Sequence, residues 1–227
     1  MPAQQSAHRV RTPGYGHRVT SLFHAHGYFM TPLLLASGSL SRRTLLSRLG
    51  LPFEHKSPDI DETPLQNESS HALATRLARQ KAHALASHYP GYLIIGSDQV
   101  ASLDHEIIGK PGTADNARAR LSQFSGRRVS FFTALALLDT RDNHCLVHIE
   151  PFDVHFRVLS RQEIEGYVAL EPALDSAGGF YMEGLGTTLF ERLEGSDPSA
   201  LMGLPLIALC RLLRETGINP LLETSAP

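Results

Sequence analysis

The chain has 227 residues, 42% of them hydrophobic and 19% charged, with a net charge of −2. That is enough apolar material to fill the core of one large α/β domain or two small ones. The near-neutral total gives no bulk attraction for nucleic acid or an anionic membrane, so any basic site must be local. No apolar run approaches the ~18 residues that span a bilayer. The two cysteines, Cys145 and Cys210, make no disulfide framework and point to a reducing cytoplasm.

Residues 1–29 stand apart. They contain no Asp or Glu, carry Arg9, Arg11, Arg18 and several histidines, and show no apolar periodicity. A secretory signal needs an unbroken apolar stretch, and His24, His26, Gly27 and Pro32 interrupt the only candidate. The segment reads as a disordered extension, with Met30 an alternative start; residues 223–227 read as a tail.

Leu33–Ala36 reads as a short buried strand. The small-residue loop Ser37-Gly38-Ser39 follows, then a helix that opens on Ser41, Arg42 and Arg43 and stops at Gly50. The free N–H groups of a helix N-terminus attract anions, and arginine adds bidentate phosphate contacts. The Gly-Lys-Ser/Thr ending of a Walker A loop is missing. A second strand, 53–56, leads to an acidic loop between Pro58 and Pro64. Its Asp59, Asp61 and Glu62 are carboxylates of the kind that hold a hard cation such as Mg²⁺.

Ser69 to Tyr89 carries a helical face of Leu73, Leu77, Ala78, Ala82 and Leu85. Lys81 lies among these apolar positions; a lone lysine on a helix is usually solvated, and one so flanked can instead point into a cleft. Leu93-Ile94-Ile95 then reads as a buried strand whose apolar run ends near Asp98. The chain reverses and delivers Lys110 between Gly109 and Pro111. An acid at a strand end and a lysine on a rigid loop are parts of a charged pocket, since α/β sheets hold ligands at strand ends.

Thr113 caps a helix over 113–124. Val129–Leu138 and Cys145–Val158 read as a long hairpin, with Phe152, Val154 and Phe156 on its buried face. Its exposed face makes a homodimer an expectation. Ser160 and Glu163 form a capping box for the next helix. The stretch 175–184, SAGGFYMEG after Asp175, is either a connector or a loop whose rings stack on a base. A last strand covers 189–193 and a last helix 206–215.

Cations at Arg42 and Lys110 and carboxylates at Glu62 and Asp98 make sense together if a divalent ion bridges an oligophosphate while a carboxylate deprotonates water. No Ser–His–Asp or Cys–His arrangement appears in recognisable context. From the residues alone the reading stops at metal-dependent phosphate-ester or phosphoanhydride chemistry.

LLLASGSLSRR, DIDET, ARQKA, IIGSDQV, GKP, EPFDVHFR, SAGGFYMEGLG and MGLPL, in that order over about residues 32–222, resemble the Maf nucleoside triphosphate pyrophosphatases. IIGSDQV, EPFDVHFR and LFERLEGSDP are most similar to the branch acting on 7-methyl-GTP. The branch acting on dTTP and UTP has Thr where this chain has Gln99. The resemblance implies an α/β fold with a mixed central sheet flanked by helices, in two lobes with a cleft between them. It implies cleavage of a nucleotide substrate between the α- and β-phosphates with Mg²⁺ or Mn²⁺. It implies Asp98 as proton acceptor, Glu62 with Asp98 at the metal, and Ser37, Arg42, Lys81 and Lys110 on the phosphates. Ser41, Gln99 and Glu183 match positions tied to base choice. Ser41 is a departure, because the 7-methyl-GTP branch can carry Trp there, and a lost ring weakens stacking on a cationic purine. The alternatives are a dTTP/UTP enzyme of the same family and a non-catalytic nucleotide-binding regulator of cell division.

Overall fold

The computed structural model describes residues 31–223. The expectations for residues 1–29 and for the tail beyond residue 223 lie outside the described residues.

The chain opens with β1 (Leu33–Ala36), every residue of which is buried. Helix α1 (Leu40–Ser47) is capped by Ser39, whose hydroxyl accepts from Arg42 N at 3.3 Å. Strand β2 (Phe53–Lys56) precedes the acidic loop. Helix α2 (Ser70–Ala86) is capped by Ser69 and buries Leu73, Leu77, Ala78, Lys81, Ala82 and Leu85 on one face. Next come β3 (Leu93–Leu103), β4 (Glu106–Ile108) and α3 (Ala114–Phe124), the last capped by Thr113. The long strands β5 (Arg128–Asp139) and β6 (His144–Phe156) form the expected hairpin, with Phe152, Val154 and Phe156 buried. Helix α4 (Arg161–Leu170) has the full Ser160–Glu163 capping box. A 3₁₀ turn leads into β7 (Phe190–Gly195), then α5 (Pro198–Leu201), α6 (Leu206–Glu215) and α7 (Pro220–Glu223). None of the described helices is long and apolar enough to cross a membrane.

The sheet is mixed, in the order β2-β1-β3-β5-β6-β7, with β4 added to β3. β1 runs parallel to both β2 and β3, while β5, β6 and β7 continue antiparallel. One apolar cluster joins α2 to β1, β3 and β5 through Leu34, Leu77, Ala78, Ile94 and Ala136. Another joins α3 and α4 to β5 and β6 through Phe124, Phe131, Phe156, Tyr167 and Phe180. Both clusters pack on the one sheet and share β5.

The central strand corrects one expectation. Asp98 does not end a strand; β3 runs on to Leu103, because β5 pairs with it from Leu93 through Ser102. What ends is the opposite edge. β1 covers β3 only over 93–96, and β4 covers it again only over 101–103. Ser97, Asp98, Gln99 and Val100 therefore face a gap in the sheet, where a ligand can approach the strand from the side. The crevice arises from the end of a neighbouring parallel strand, the usual place for a ligand in such sheets.

Candidate active site

The gap opens into a cavity of about 1060 Å³. Ser37, Ser41, Arg42, Glu62, Lys81, Asp98, Gln99, Lys110 and Glu183 all line it, although they come from six separate stretches of chain. Leu73 and Leu77 reach it from one core, and Phe180 and Leu201 from the other.

At its centre Lys81 Nζ lies 2.6 Å from Asp98 Oδ1 and 2.7 Å from Glu62 Oε1. The lysine and Asp98 are each buried, whereas Glu62 is half exposed. Lys81 reaches this point because α2 packs directly on β3 with Ala78 and Ala82 facing the strand. Burial acts to raise the Glu62 carboxyl. The Lys81 hydrogen bond and the charges of Lys81, Lys110 and Arg42 outweigh it together and hold the group below the usual carboxylate range.

Arg42 stands on the first turn of α1. Its Nε donates to Gly203 O at 2.8 Å, and its two terminal nitrogens make no hydrogen bond among the described residues. Desolvation lowers the guanidinium from its ordinary value, and Asp98 and Glu62 pull it back up. The group stays cationic, as arginine does in proteins. Ser37 Oγ accepts from Ser39 N at 3.1 Å, which tightens the loop before the helix. Lys110 is exposed on the segment after β4.

The other end of the cavity is acidic and polar. Ser41 Oγ donates to Glu183 Oε1 at 2.8 Å. Glu171, Asp175 and Tyr181 line the same end, and the Tyr181 hydroxyl donates to Asp175. Burial, then that hydrogen bond and the charges of Asp175, Glu183 and Glu171, push the Tyr181 phenol up to about 12. The centre thus carries three cations against two carboxylates, whereas the loop end carries carboxylates alone.

Of the acidic loop only Glu62 reaches the centre. Asp61 instead accepts from Thr63 N at 2.9 Å, and Asp59 is exposed. Among the described residues no three His, Cys, Asp or Glu side chains converge as a metal site. Mg²⁺ takes one or two carboxylates from a protein and completes its shell with water and substrate phosphate, a share that Glu62 and Asp98 could supply.

The aromatic loop divides its rings. Phe180 is buried in the core, edge-on to Phe131, Phe156 and Phe190, so it does not serve as a free stacking ring. Tyr181 is half-buried and lines the cavity. Sequence reasoning did not single out Ser97, Thr133 or the turn 200–203. Ser97 Oγ shares its one proton between Ala134 O and Gly203 O at 2.8 and 2.9 Å, and Thr133 Oγ1 donates to Ala200 O at 2.9 Å. MGLPL was visible as a motif, but its contribution comes through backbone carbonyls, which no side chain announces.

A family model described as "Maf-like protein" matches residues 32–216. A 7-methyl-GTP pyrophosphatase of Chromohalobacter salexigens is 59% identical over 192 residues, which is 85% of this chain and 100% of that protein. Among solved structures, the Ham1 protein of Staphylococcus aureus is 12% identical, over 82% of this chain and 100% of that one, with a TM-score of 0.45. The chain belongs to the Maf family.

Proposed function

We propose that the protein is a nucleoside triphosphate pyrophosphatase that hydrolyses 7-methyl-GTP to 7-methyl-GMP and pyrophosphate and so keeps a modified nucleotide out of nucleic acids. The observation that carries this reading is the Lys81 ammonium held between Asp98 and Glu62 in a cavity that Arg42 and Lys110 also line. The name borne by the Chromohalobacter relative supports the substrate.

In this reading the triphosphate lies against Ser37, Arg42, Lys81 and Lys110, which neutralise its charge and fix the α-phosphorus. Asp98 accepts a proton from a water beside it. The water oxygen bonds to the α-phosphorus as the bond from that phosphorus to the α,β-bridging oxygen breaks. Pyrophosphate leaves with that oxygen, and the nucleoside monophosphate keeps the water's. Asp98 and Glu62 would hold a Mg²⁺ or Mn²⁺ ion, which when bound polarises phosphoryl oxygens and lowers the pKa of water. Ser41, Gln99 and Glu183 face the base. A 7-methylated guanine carries positive charge on its ring, which the carboxylates of the loop end offset.

The working form in this reading is a cytoplasmic enzyme acting on free nucleotides, with neither nucleic acid nor membrane as partner. A homodimer would use the outer edge of β6 over 144–151, which lacks a strand partner among the described residues.

The test is a panel of 7-methyl-GTP, GTP, dTTP and UTP, with Mg²⁺ or with EDTA, scored by pyrophosphate release. The reading expects 7-methyl-GTP to turn over fastest and EDTA to stop it. Preference for dTTP and UTP would move the substrate to the pyrimidine branch, and absence of pyrophosphate with every nucleotide would sink the catalytic reading.

A further inference from the structure

Gln99 meets the cavity with a fixed amide. Its Nε2 has three acceptors around its two N–H groups, Ala200 O at 2.8 Å, Thr133 Oγ1 at 3.0 Å and Leu201 O at 3.1 Å. A backbone carbonyl can only accept, so two of these partners decide which end of the amide is nitrogen. The Thr133 hydroxyl gives its own proton to Ala200 O, so toward Gln99 it too is an acceptor. Three acceptors converge on Nε2, while Oε1 has no hydrogen-bond partner among the described residues. Nor is Oε1 buried there, since the buried side-chain polar atoms without a partner are Arg43 Nε and Ser70 Oγ. Because Gln99 lines the cavity, the amide oxygen is what a ligand meets.

Thr133 completes this arrangement from β5. It is the direct cross-strand neighbour of Gln99, and it is fully buried. It links Gln99 to the turn after α5, whose Gly203 carbonyl also receives Arg42 and Ser97. The turn is itself rigidly built. The buried Asp197 accepts from Ser199 N at 2.9 Å and Ile207 N at 2.8 Å, capping α5 and bracing the start of α6.

We infer that Thr133 is a positioning residue that, with the Ala200 and Leu201 carbonyls, turns Gln99 into a one-way hydrogen-bond acceptor and thereby selects a base with N–H donors on the edge it presents. Glu183 supplies a second acceptor in the same cavity. Guanine carries two adjacent donors, the ring N–H and the 2-amino group, whereas adenine, cytosine and uracil each carry one on the corresponding edge. A site of two outward acceptors discriminates against a base that brings only one donor, because one of its own groups then stays unpaired. The inference rests on the pyrophosphatase reading above and adds the residue behind the specificity position.

The experiment compares 7-methyl-GTP with 7-methyl-ITP, which lacks only the 2-amino group. Wild type, Thr133→Val and Thr133→Ser are assayed, with thermal unfolding followed for each. Wild type should prefer the guanine nucleotide. Thr133→Val should narrow the kcat/KM ratio by about tenfold, mainly through a higher KM for 7-methyl-GTP. Thr133→Ser should restore the wild-type ratio. Thr133→Ala reports the same ratio if the valine methyl cannot pack. An unchanged ratio in the hydroxyl-free variants, or loss of the ratio in Thr133→Ser as well, overturns the inference. If wild type turns over neither nucleotide, the catalytic reading fails on its own, and the same ratio is then read from Kd values by titration calorimetry.

Discussion

Lys81 Nζ and Asp98 Oδ1 are 2.6 Å apart, both on buried side chains, one from the middle of α2 and the other from the stretch of β3 that has a strand on one side only. A carboxylate so placed is fixed in direction and shielded from bulk water. Asp98→Asn keeps the shape and can still accept from Lys81, but it cannot take a proton from water. Turnover should fall by about 10²- to 10⁴-fold while KM and the melting temperature stay close to wild type. Pyrophosphate release and thermal unfolding check this, and wild-type rates in a folded variant would remove Asp98 from the role of base.

Lys81→Met leaves Asp98 buried without its partner and brings two uncompensated carboxylates together. Stability should drop by about 3 kcal/mol, as expected when one member of a buried pair is removed. The same change sharpens the site for a cation, because the two carboxylates no longer share an ammonium. Mg²⁺ should therefore raise the melting temperature of Lys81→Met more than that of wild type. This readout does not depend on activity. Equal shifts in the two proteins, or no shift in either, would argue against Glu62 and Asp98 as the metal's protein ligands.

Much of this arrangement was legible in the sequence where the signal is local. Ser69, Thr113 and the Ser160–Glu163 box mark helix starts that the structure reproduces, because a cap is made by residues three apart. The β5–β6 hairpin was visible from alternation alone. The extension of β3 past Asp98 was not, since it depends on pairing with a strand about thirty residues later. β4 and α5, three and four residues long, are too short to show a period. The division of labour between Phe180 and Tyr181 was hidden because two adjacent aromatics look alike until packing separates them. Thr133 was hidden for a related reason: its partners are Gln99 and the Ala200 carbonyl, both far away in sequence.

Gly96 sets the distance between α2 and β3, and with it the reach of Lys81. A methyl group there would overlap the Ala78 carbonyl oxygen and stand 2.9 Å from Ala82 N. Both are backbone atoms of a helix, which cannot turn aside as a side chain can. Gly96→Ala should push the helix outward, cost about 3 kcal/mol and lengthen the contact from Lys81 to Asp98 two residues along the strand. Urea unfolding and kcat should fall together. Gly166 in α4 is the control, because a methyl there meets nothing within 4 Å. Gly166→Ala should stabilise by up to about 1 kcal/mol and leave turnover unchanged.

Glu68 and Arg76 clamp the loop that carries Glu62. Arg76 Nε and Nη2 donate to the two Glu68 oxygens at 2.7 and 2.8 Å, and Nη2 also donates to Thr63 O at 3.0 Å, next to Glu62. The Arg76 hydrogen bond, opposed by burial and helped by Leu65 N–H, pulls the Glu68 carboxyl down to about 2. An unfolded Glu titrates near ~4.3. A depressed folded-state value means that the ionised clamp contributes its full stability above the unfolded pKa and loses it as pH falls toward the folded one. The stability gap between wild type and Glu68→Gln should be flat from about pH 8 to about 5, shrink below about 4.5 and close near 2. Turnover of Glu68→Gln near neutral pH should fall several-fold, since Thr63 and its neighbour Glu62 are less firmly held. Urea midpoints for both proteins across this range decide the matter. A gap with no pH dependence, or one that widens in acid, would mean that the Glu68 carboxylate is not stabilised by the fold.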